Sequence, residues 1–201
     1  MADAAYSRLQ VLDPRDDLWN RVYTVSPLVL IGTEDGSGAP DLAPKHMAFP
    51  LGWESYFGFV CTPRHATYAN VVQSRSFTVS YPRPADIVAT SLTAAPRSEN
   101  TKPIVDLLET FRARTAKGLF VEHAYLYLEC ELVRIVDGFG ANSLIAGEIV
   151  AAYADPAAIR SSDRDDADLL VAAPQLAYLY PGRFAIIHET QAFPFPAGMQ
   201  R

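Results

Sequence analysis

The sequence predicts a mainly β protein with a few helices, of the α+β class, folded as an antiparallel Greek-key-like barrel. Six or seven segments are rich in β-branched and aromatic residues, and turn sequences typical of hairpins connect many of them. No Gly-x-Gly-x-x-Gly motif follows a strand, and helices do not alternate regularly with strands. Both observations disfavour a parallel nucleotide-binding sheet.

The N-terminal half is predicted to begin with a short helix and to continue into strands. Residues 14–23 place acidic side chains in a first helical turn and apolar side chains at helical spacing. The sequence EDGSG at Glu34–Gly38 is a strong hairpin signal between two strands. The predicted bounds are Pro14–Tyr23 (helix), Pro27–Thr33, Pro40 towards Phe49 and Ser55–Thr62 (strands), His65–Ser74 (helix) and Ser76–Tyr81 (strand).

The C-terminal half is predicted to contain two helices and then a long hairpin. In the first strand of this hairpin, residues 124–136, apolar and polar positions alternate, and the alternation indicates that Glu129 and Glu131 lie on a solvent-facing side. The predicted bounds are Ala85–Ala94 and Lys102–Arg114 (helices), Ala124–Val136 and Ser143–Tyr153 (strands, with a turn at Asp137–Asn142), Asp163–Asp168 (solvated loop) and Arg183–His188 (last strand, before an extended tail).

Size and composition favour a single ordinary globular domain of 201 residues. The net charge of −6 argues against nucleic-acid binding, which requires a basic face. No secretory signal and no apolar run long enough to span a membrane is present, so we expect a cytoplasmic protein without a membrane partner. Cys61 and Cys130 have no metal-ligand spacing and are expected to be buried, reduced thiols, so no metal site is predicted.

A candidate anion site lies where the strand Ser55–Thr62 leads into the following helix. Thr62 is predicted to be the helix N-cap, with Pro63 at the first helical position. The free backbone N–H groups of a helix start, beside Arg64 and the hydroxyl of Thr67, suit a phosphate group. Lys45 and its neighbour His46 precede that strand and are expected to add positive charge at the same end of the sheet.

The order of these motifs resembles the flavin reductase-like domains of the FMN-binding split barrel. The resemblance is carried by the order of EDGSG, DLAPKHMAF, FVCTPRHATYANV and SFTVSYP, and then by YLECELVRI, GANSLIAGEIV and YLYPGRFAII. It implies three regions: an N-terminal extension with a short helix at residues 1–26, a split-barrel domain at 27–193 and an extended tail at 194–201. It also implies a homodimer with the flavin near the subunit interface.

The resemblance further implies a set of cofactor-binding residues. In this family, the loop after the first hairpin lays its backbone along the flavin ring, and the strand end and helix start hold the ribityl chain and the phosphate. The ring-binding positions are Leu42, Ala43, Pro44, Lys45, His46 and Met47. The phosphate-side positions are Cys61, Thr62, Pro63, Arg64, Thr67 and Asn70. No catalytic side chain is assigned.

Two departures from the family pattern bear on function. His46 stands where family members often carry a serine, and Gly140, Ala141 and Asn142 stand where NADH-dependent members carry Gly-Asp-His. The resemblance implies an FMN-dependent oxidoreductase that transfers hydride between NAD(P)H and flavin, with a small-molecule electron donor and acceptor. Because the family histidine is replaced by Asn142, a flavoprotein electron carrier or flavin-binding module stays open. A deazaflavin- or haem-binding split barrel also stays open, and His188 is a candidate substrate-facing residue.

Overall fold

The structure, a computed structural model, describes residues 6–97, 102–161, 165–196 and 198. Its main element is a seven-stranded antiparallel sheet. This sheet curls into a half-barrel, which confirms the predicted antiparallel split-barrel class. Its strands are β2 (Val29–Glu34), β3 (Pro40–Lys45), β4 (Ala48–Pro50), β5 (Tyr56–Cys61), β6 (Ser76–Tyr81), β9 (Leu126–Phe139) and β10 (Asn142–Ala154). Their order across the sheet is β3-β2-β6-β9-β10-β5-β4.

Two smaller sheets and four short α-helices complete the described part of the chain. The strands β1 (Thr24–Pro27), β11 (Gln175–Tyr180) and β12 (Arg183–Ile187) form a three-stranded sheet, and β7 (Thr110–Arg112) pairs with β8 (Leu119–Val121). The helices are α1 (Ala66–Ser74), α2 (Ile87–Leu92), α3 (Pro103–Asp106) and α4 (Asp166–Ala172). Within the described residues, none of these helices has the length and apolar character needed to cross a membrane.

Strand β2 is buried on both faces, because apolar groups cover each side of it. Val29 and Ile31 face the main core, which lies inside the half-barrel with the rings of Phe57 and Phe59. Leu30 points the other way, into a second cluster formed with residues of β3, α3 and β8. A continuous apolar run is therefore the expected pattern for this strand.

The predicted strands and hairpins of the main sheet are largely confirmed. The EDGSG turn closes the β2–β3 hairpin, where Asp35 N donates to Ala39 O at 3.0 Å and Asp35 Oδ1 accepts from Ser37 N and Oγ. The partner strand breaks at His46 instead of continuing to Phe49, since residues after the break pair with β5 instead of β2. The two cysteines are free and buried, as predicted.

Several helix predictions are wrong in extent. Pro14–Tyr23 forms only a 3-10 turn at Leu18–Asn20, and Lys102–Arg114 forms only α3 before β7 begins. Long-range pairing of β7 with β8 outweighs the local helical spacing of the apolar residues. The loop predicted at Asp163–Asp168 lies partly outside the described residues, and its described end begins α4, with Asp165 as N-cap.

The prediction that Glu129 faces solvent is also wrong. Glu131 is exposed, but the segment between β7 and β8 covers Glu129 completely. The carboxylate of Glu129 accepts hydrogen bonds from the backbone N–H groups of Arg114, Thr115 and Ala116 at 2.6–3.1 Å. It also accepts one from the Tyr153 hydroxyl at 3.1 Å. Glu129 therefore anchors a loop to the sheet.

Candidate functional site

An open cleft of about 450 Å³ lies where the end of β3 meets the start of α1. Helix α1 packs against β2 and β3, which brings its first turn beside the last residues of β3. The segment that follows α2 forms the opposite wall. We call this feature the cationic cleft, and its lining residues are Asp41, Ala43, Pro44, Lys45, Arg64, His65, Ala66, Thr67, residues 93–97 and Lys102.

Positive charge dominates this cleft. Lys45, Arg64, Arg97 and Lys102 line it, and Asp41 is the one carboxylate among its described lining residues. Because Asp41 pairs with Lys102 and Asp35 pairs with Arg97, the surplus of positive charge comes from Lys45 and Arg64. Such a concave, positively charged surface attracts small anions.

Lys102 and Asp41 form a buried pair at the base of the cleft. Their side chains are 6% and 4% exposed, and Lys102 Nζ lies 3.1 Å from Asp41 Oδ1. Lys102 Nζ also donates a hydrogen bond to the backbone oxygen of Leu42 at 2.6 Å. These two contacts fix the ammonium group against the backbone of β3, since a buried charge requires partners.

The start of α1 supplies backbone donors to the cleft. Its N-cap is His65, in an extended conformation and without a side-chain capping bond, so the prediction that Thr62 is the N-cap is wrong. Residues 62–65 form a turn instead, in which His65 N donates to Thr62 O at 3.1 Å. The first backbone N–H groups of an α-helix have no intrahelical acceptor. The helix start therefore adds N–H donors and a positive dipole end to the cleft.

One histidine in the cleft, His65, and one beside it, His46, have lowered pKa values. Burial, followed by the charges of Lys45 and Lys102, lowers the pKa of His65. Burial and then the charge of Lys45 lower the pKa of His46. Both imidazoles are consequently neutral at neutral pH and add no positive charge of their own.

Comparison with known proteins identifies the family. The family model described as "Flavin reductase like domain" matches residues 21–181. The chain belongs to the flavin reductase-like family. A search of curated proteins found no match.

Solved structures of flavin proteins share the fold of this flavin reductase-like chain. A Shewanella frigidimarina protein assigned as a flavin reductase with a split barrel domain has a TM-score of 0.78 at 20% identity, covering 92% of this chain and 95% of its own. Flavoredoxin from Methanosarcina acetivorans has a TM-score of 0.75 at 18% identity and covers 95% and 97%. The FMN-binding protein from Thermus thermophilus, with bound 1-cyclohex-2-enone, has a TM-score of 0.73 at 18% identity and covers 92% and 98%.

The structure of this flavin reductase-like protein brings together about half of the residues that the sequence indicated. Ala43, Pro44, Lys45, Arg64 and Thr67 all line the cationic cleft. The hydroxyl of Thr67 is buried and lies 3.5 Å from Asp41 Oδ2. The cleft therefore joins the predicted ring-binding loop to the predicted phosphate-side helix start.

Other predicted residues lie around the cleft without lining it. The side chain of Leu42 is buried in the second apolar cluster, although its backbone oxygen accepts the Lys102 hydrogen bond. Cys61 is buried in the main core, and burial raises the pKa of its thiol. Asn70 is buried too, and its Nδ2 donates to Thr33 Oγ1 at 3.0 Å, which ties α1 to β2. These three residues position the walls of the cleft.

The remaining predicted residues face neighbouring depressions. The ring of His46 packs against the rings of Tyr178 and Tyr180, with centroid distances of 4.6 and 5.4 Å, and Met47 is exposed beside it. Thr62 and Pro63 line a depression of about 330 Å³ together with Gly140, Ala141 and Asn142. Arg64 lines both this depression and the cationic cleft. His188, the other candidate, is exposed beyond the end of β12.

Sequence reasoning missed Lys102 and the segment 93–97 as parts of this site. Lys102 is about 60 positions away from β3 along the chain, and a single lysine in a polar segment carries no local signal. Arg97 reaches the cleft from the segment after α2, where it also pairs with Asp35 at 3.3 Å. The scarcity of lysine, with three in the chain, was the one available hint.

Proposed function

We propose that this protein is an FMN-binding oxidoreductase that transfers hydride between NAD(P)H and flavin. The single observation that supports the proposal best is the cationic cleft, because it joins three kinds of phosphate-binding group beside a flat backbone strand. These groups are the Arg64 guanidinium, the Lys102 ammonium and the first-turn N–H groups of α1. Together they suit a dianionic phosphate ester better than a neutral ligand.

The residues present fit the phosphate end of FMN. Asp41 is already paired with Lys102, so it does not leave an uncompensated carboxylate facing the ligand. Ala43 and Pro44 leave the backbone of β3 open at the cleft, since neither carries a long side chain. In this proposal Arg64, Thr67 and Lys102 bind the phosphate, and the backbone of residues 43–47 contacts the ring.

The protein's own contribution is binding and orientation. When bound, flavin supplies the hydride chemistry at its ring. Lys45 lies on the strand that would contact the ring, and its charge favours an anionic flavin. The neutral His46, whose ring packs against two tyrosine rings, offers a flat surface beside the same strand. We assign no side chain as a general acid or base.

A second candidate function is an electron carrier or flavin-binding module without NAD(P)H turnover. Asn142 favours this candidate, because it stands in the depression beside Arg64 at the position where the resemblance implies a histidine. The FMN-loaded protein distinguishes the two functions. Rapid oxidation of NADH or NADPH supports the oxidoreductase, and no oxidation of either supports the carrier. The homodimer and the preference for FMN over FAD belong to the proposal as well.

Binding of FMN and riboflavin to flavin-free protein tests the phosphate assignment. We expect FMN to bind at least tenfold more tightly than riboflavin, and Arg64→Ala to weaken FMN binding by about 10- to 150-fold, equivalent to about 1.5–3 kcal/mol for a charged hydrogen bond. Riboflavin binding should not change. Arg134→Ala, at an exposed arginine of β9, is the matched control. Equal affinities for FMN and riboflavin would contradict the assignment.

A further inference from the structure

A second cleft of about 550 Å³ opens on the other side of Pro44. Helix α2 forms one wall, and the turn between β11 and β12 forms the other. It shares Pro44 and Ala94 with the cationic cleft, so the two are neighbours. We call it the His46 cleft, and its lining residues are Leu28, Pro44, His46, Ile87, Val88, Thr90, Ser91, Ala94, Tyr178, Gly182, Arg183 and Phe184.

Two buried polar atoms at this cleft lack hydrogen-bond partners. Thr90 is 1% exposed, and its Oγ1 has no partner among the described residues. The same holds for Nε2 of His46, which is also shielded from solvent. A buried polar group without a partner is destabilising by about 1–3 kcal/mol, and such groups are rare in folded proteins. Both residues line one cleft, and a ligand that enters deeply enough to contact these two atoms with its oxygen atoms would satisfy them.

The walls of the cleft select for a flat apolar body. Aromatic rings of His46, Tyr178 and Phe184 line it together with aliphatic side chains of α2. The ring of Tyr178 is held in place, because its hydroxyl accepts a hydrogen bond from Gly182 N at 2.9 Å. Its centroid lies 4.6 Å from that of His46. The two rings therefore pack against each other and form one aromatic surface, on which an aromatic ligand can stack.

The charge of the cleft selects for an anion. Arg183 is exposed and lines the cleft, and none of the described lining residues is acidic. A guanidinium binds a carboxylate in a planar, two-point geometry. A ligand with a ring among the aromatic walls and a carboxylate at Arg183 would satisfy both features of the site.

We propose that the His46 cleft binds small aromatic carboxylates, with Thr90 and His46 as hydrogen-bonding groups and Arg183 as the carboxylate-binding residue. This proposal goes beyond the proposed function, because it concerns a second ligand and not the flavin. The site lies beside the residues 43–47 that are proposed to contact the ring. A carboxylate bound here would therefore adjoin the flavin without using the cationic cleft.

Titration calorimetry of the FMN-loaded protein with benzoate tests the proposal. We expect saturable binding, at least tenfold weaker in Arg183→Gln and at least threefold weaker in Thr90→Val. Thr90→Ser, which keeps the hydroxyl, should bind like the wild type, and so should Arg134→Gln. Benzamide, the uncharged analogue, should bind equally well to the wild type and to Arg183→Gln. No saturable binding of benzoate, or equal binding by all variants, would overturn the proposal.

Nuclear magnetic resonance of the histidine side chains locates the ligand independently of affinity. The chain has four histidines, so ¹⁵N-labelled imidazoles give few signals. We expect benzoate to shift the His46 signals and to leave His123, an exposed residue outside the cleft, unchanged. Benzoate that binds only flavin-free protein and is displaced by FMN would also overturn the proposal, because the cleft would then belong to the flavin. Failure of the proposed FMN site is detected by a different measurement, the comparison of FMN and riboflavin affinities.

Discussion

Replacement of Lys102 by methionine tests the buried pair that forms the base of the cationic cleft. The variant leaves the Asp41 carboxylate buried, with the long 3.5 Å contact to Thr67 Oγ1 as its remaining described side-chain contact. Removing one partner of a buried ion pair is destabilising by about 3–5 kcal/mol. At a urea m-value of about 2 kcal/mol/M, this corresponds to a midpoint lower by about 1.5–2.5 M.

The matched control removes both charges. In the double variant Asp41→Asn/Lys102→Met no buried charge remains, so we expect it to be more stable than Lys102→Met alone. Urea unfolding at one fixed protein concentration measures both variants against the wild type. A loss below about 1 kcal/mol in Lys102→Met, or a double variant no more stable than the single one, would refute the reasoning.

Two further perturbations concern the sheet. Glu129→Gln should lower the free energy of unfolding by about 1–3 kcal/mol at pH 7, measured by urea unfolding. Burial acts to raise the pKa of Glu129, but its hydrogen bonds from residues 114–116 and Tyr153 outweigh it and lower the pKa. The carboxylate therefore stabilises the fold at pH values above its unfolded pKa, and this contribution is lost as the pH falls through the folded pKa. The free energy of unfolding of Glu129→Gln should therefore decrease less on acidification than that of the wild type, and an equal decrease would contradict this. Gly32→Ala should lose about 1–3 kcal/mol in the same assay, because a Cβ would lie 2.2 Å from Leu119 O. Gly36→Ala, whose Cβ would meet only the movable Gln73 side chain, should lose less, and equal losses would count against the argument.

Local signals were sufficient for the main sheet. The EDGSG turn is stabilised by hydrogen bonds among its own residues. The alternation of apolar and polar residues at 126–132 can be recognised without knowing the partner strand. The β5–α1–β6 unit could also be predicted, with β6 matching its predicted bounds of Ser76–Tyr81. In each of these segments, neighbours along the chain determine the local structure.

Long-range contacts account for the elements that were not predicted. Strand β7 lies in a segment with helical spacing, and pairing with β8 makes it a strand. Glu129 stands at a polar position of the alternating pattern, which predicts solvent exposure, but the loop between β7 and β8 buries it. Lys102 reaches Asp41 across about 60 positions of the chain. None of these contacts can be predicted from the neighbouring residues in the sequence.

The candidate site was predictable where it depends on the order of motifs. The loop 43–45 and the start of α1 were expected to share one end of the sheet, and they line one cleft. The apolar environment of His46 was not predictable, since Tyr178 and Tyr180 come from the far end of the chain. The binding roles of these residues stay predictions.

A crystal structure of the protein with FMN tests the central proposal most directly. We predict that the phosphate oxygens lie within hydrogen-bond distance of the Arg64 guanidinium, the Lys102 ammonium or the first N–H groups of α1. The ring should then lie along residues 43–47. A phosphate bound outside the cationic cleft, with no contact to Arg64, Lys102 or α1, would contradict the account.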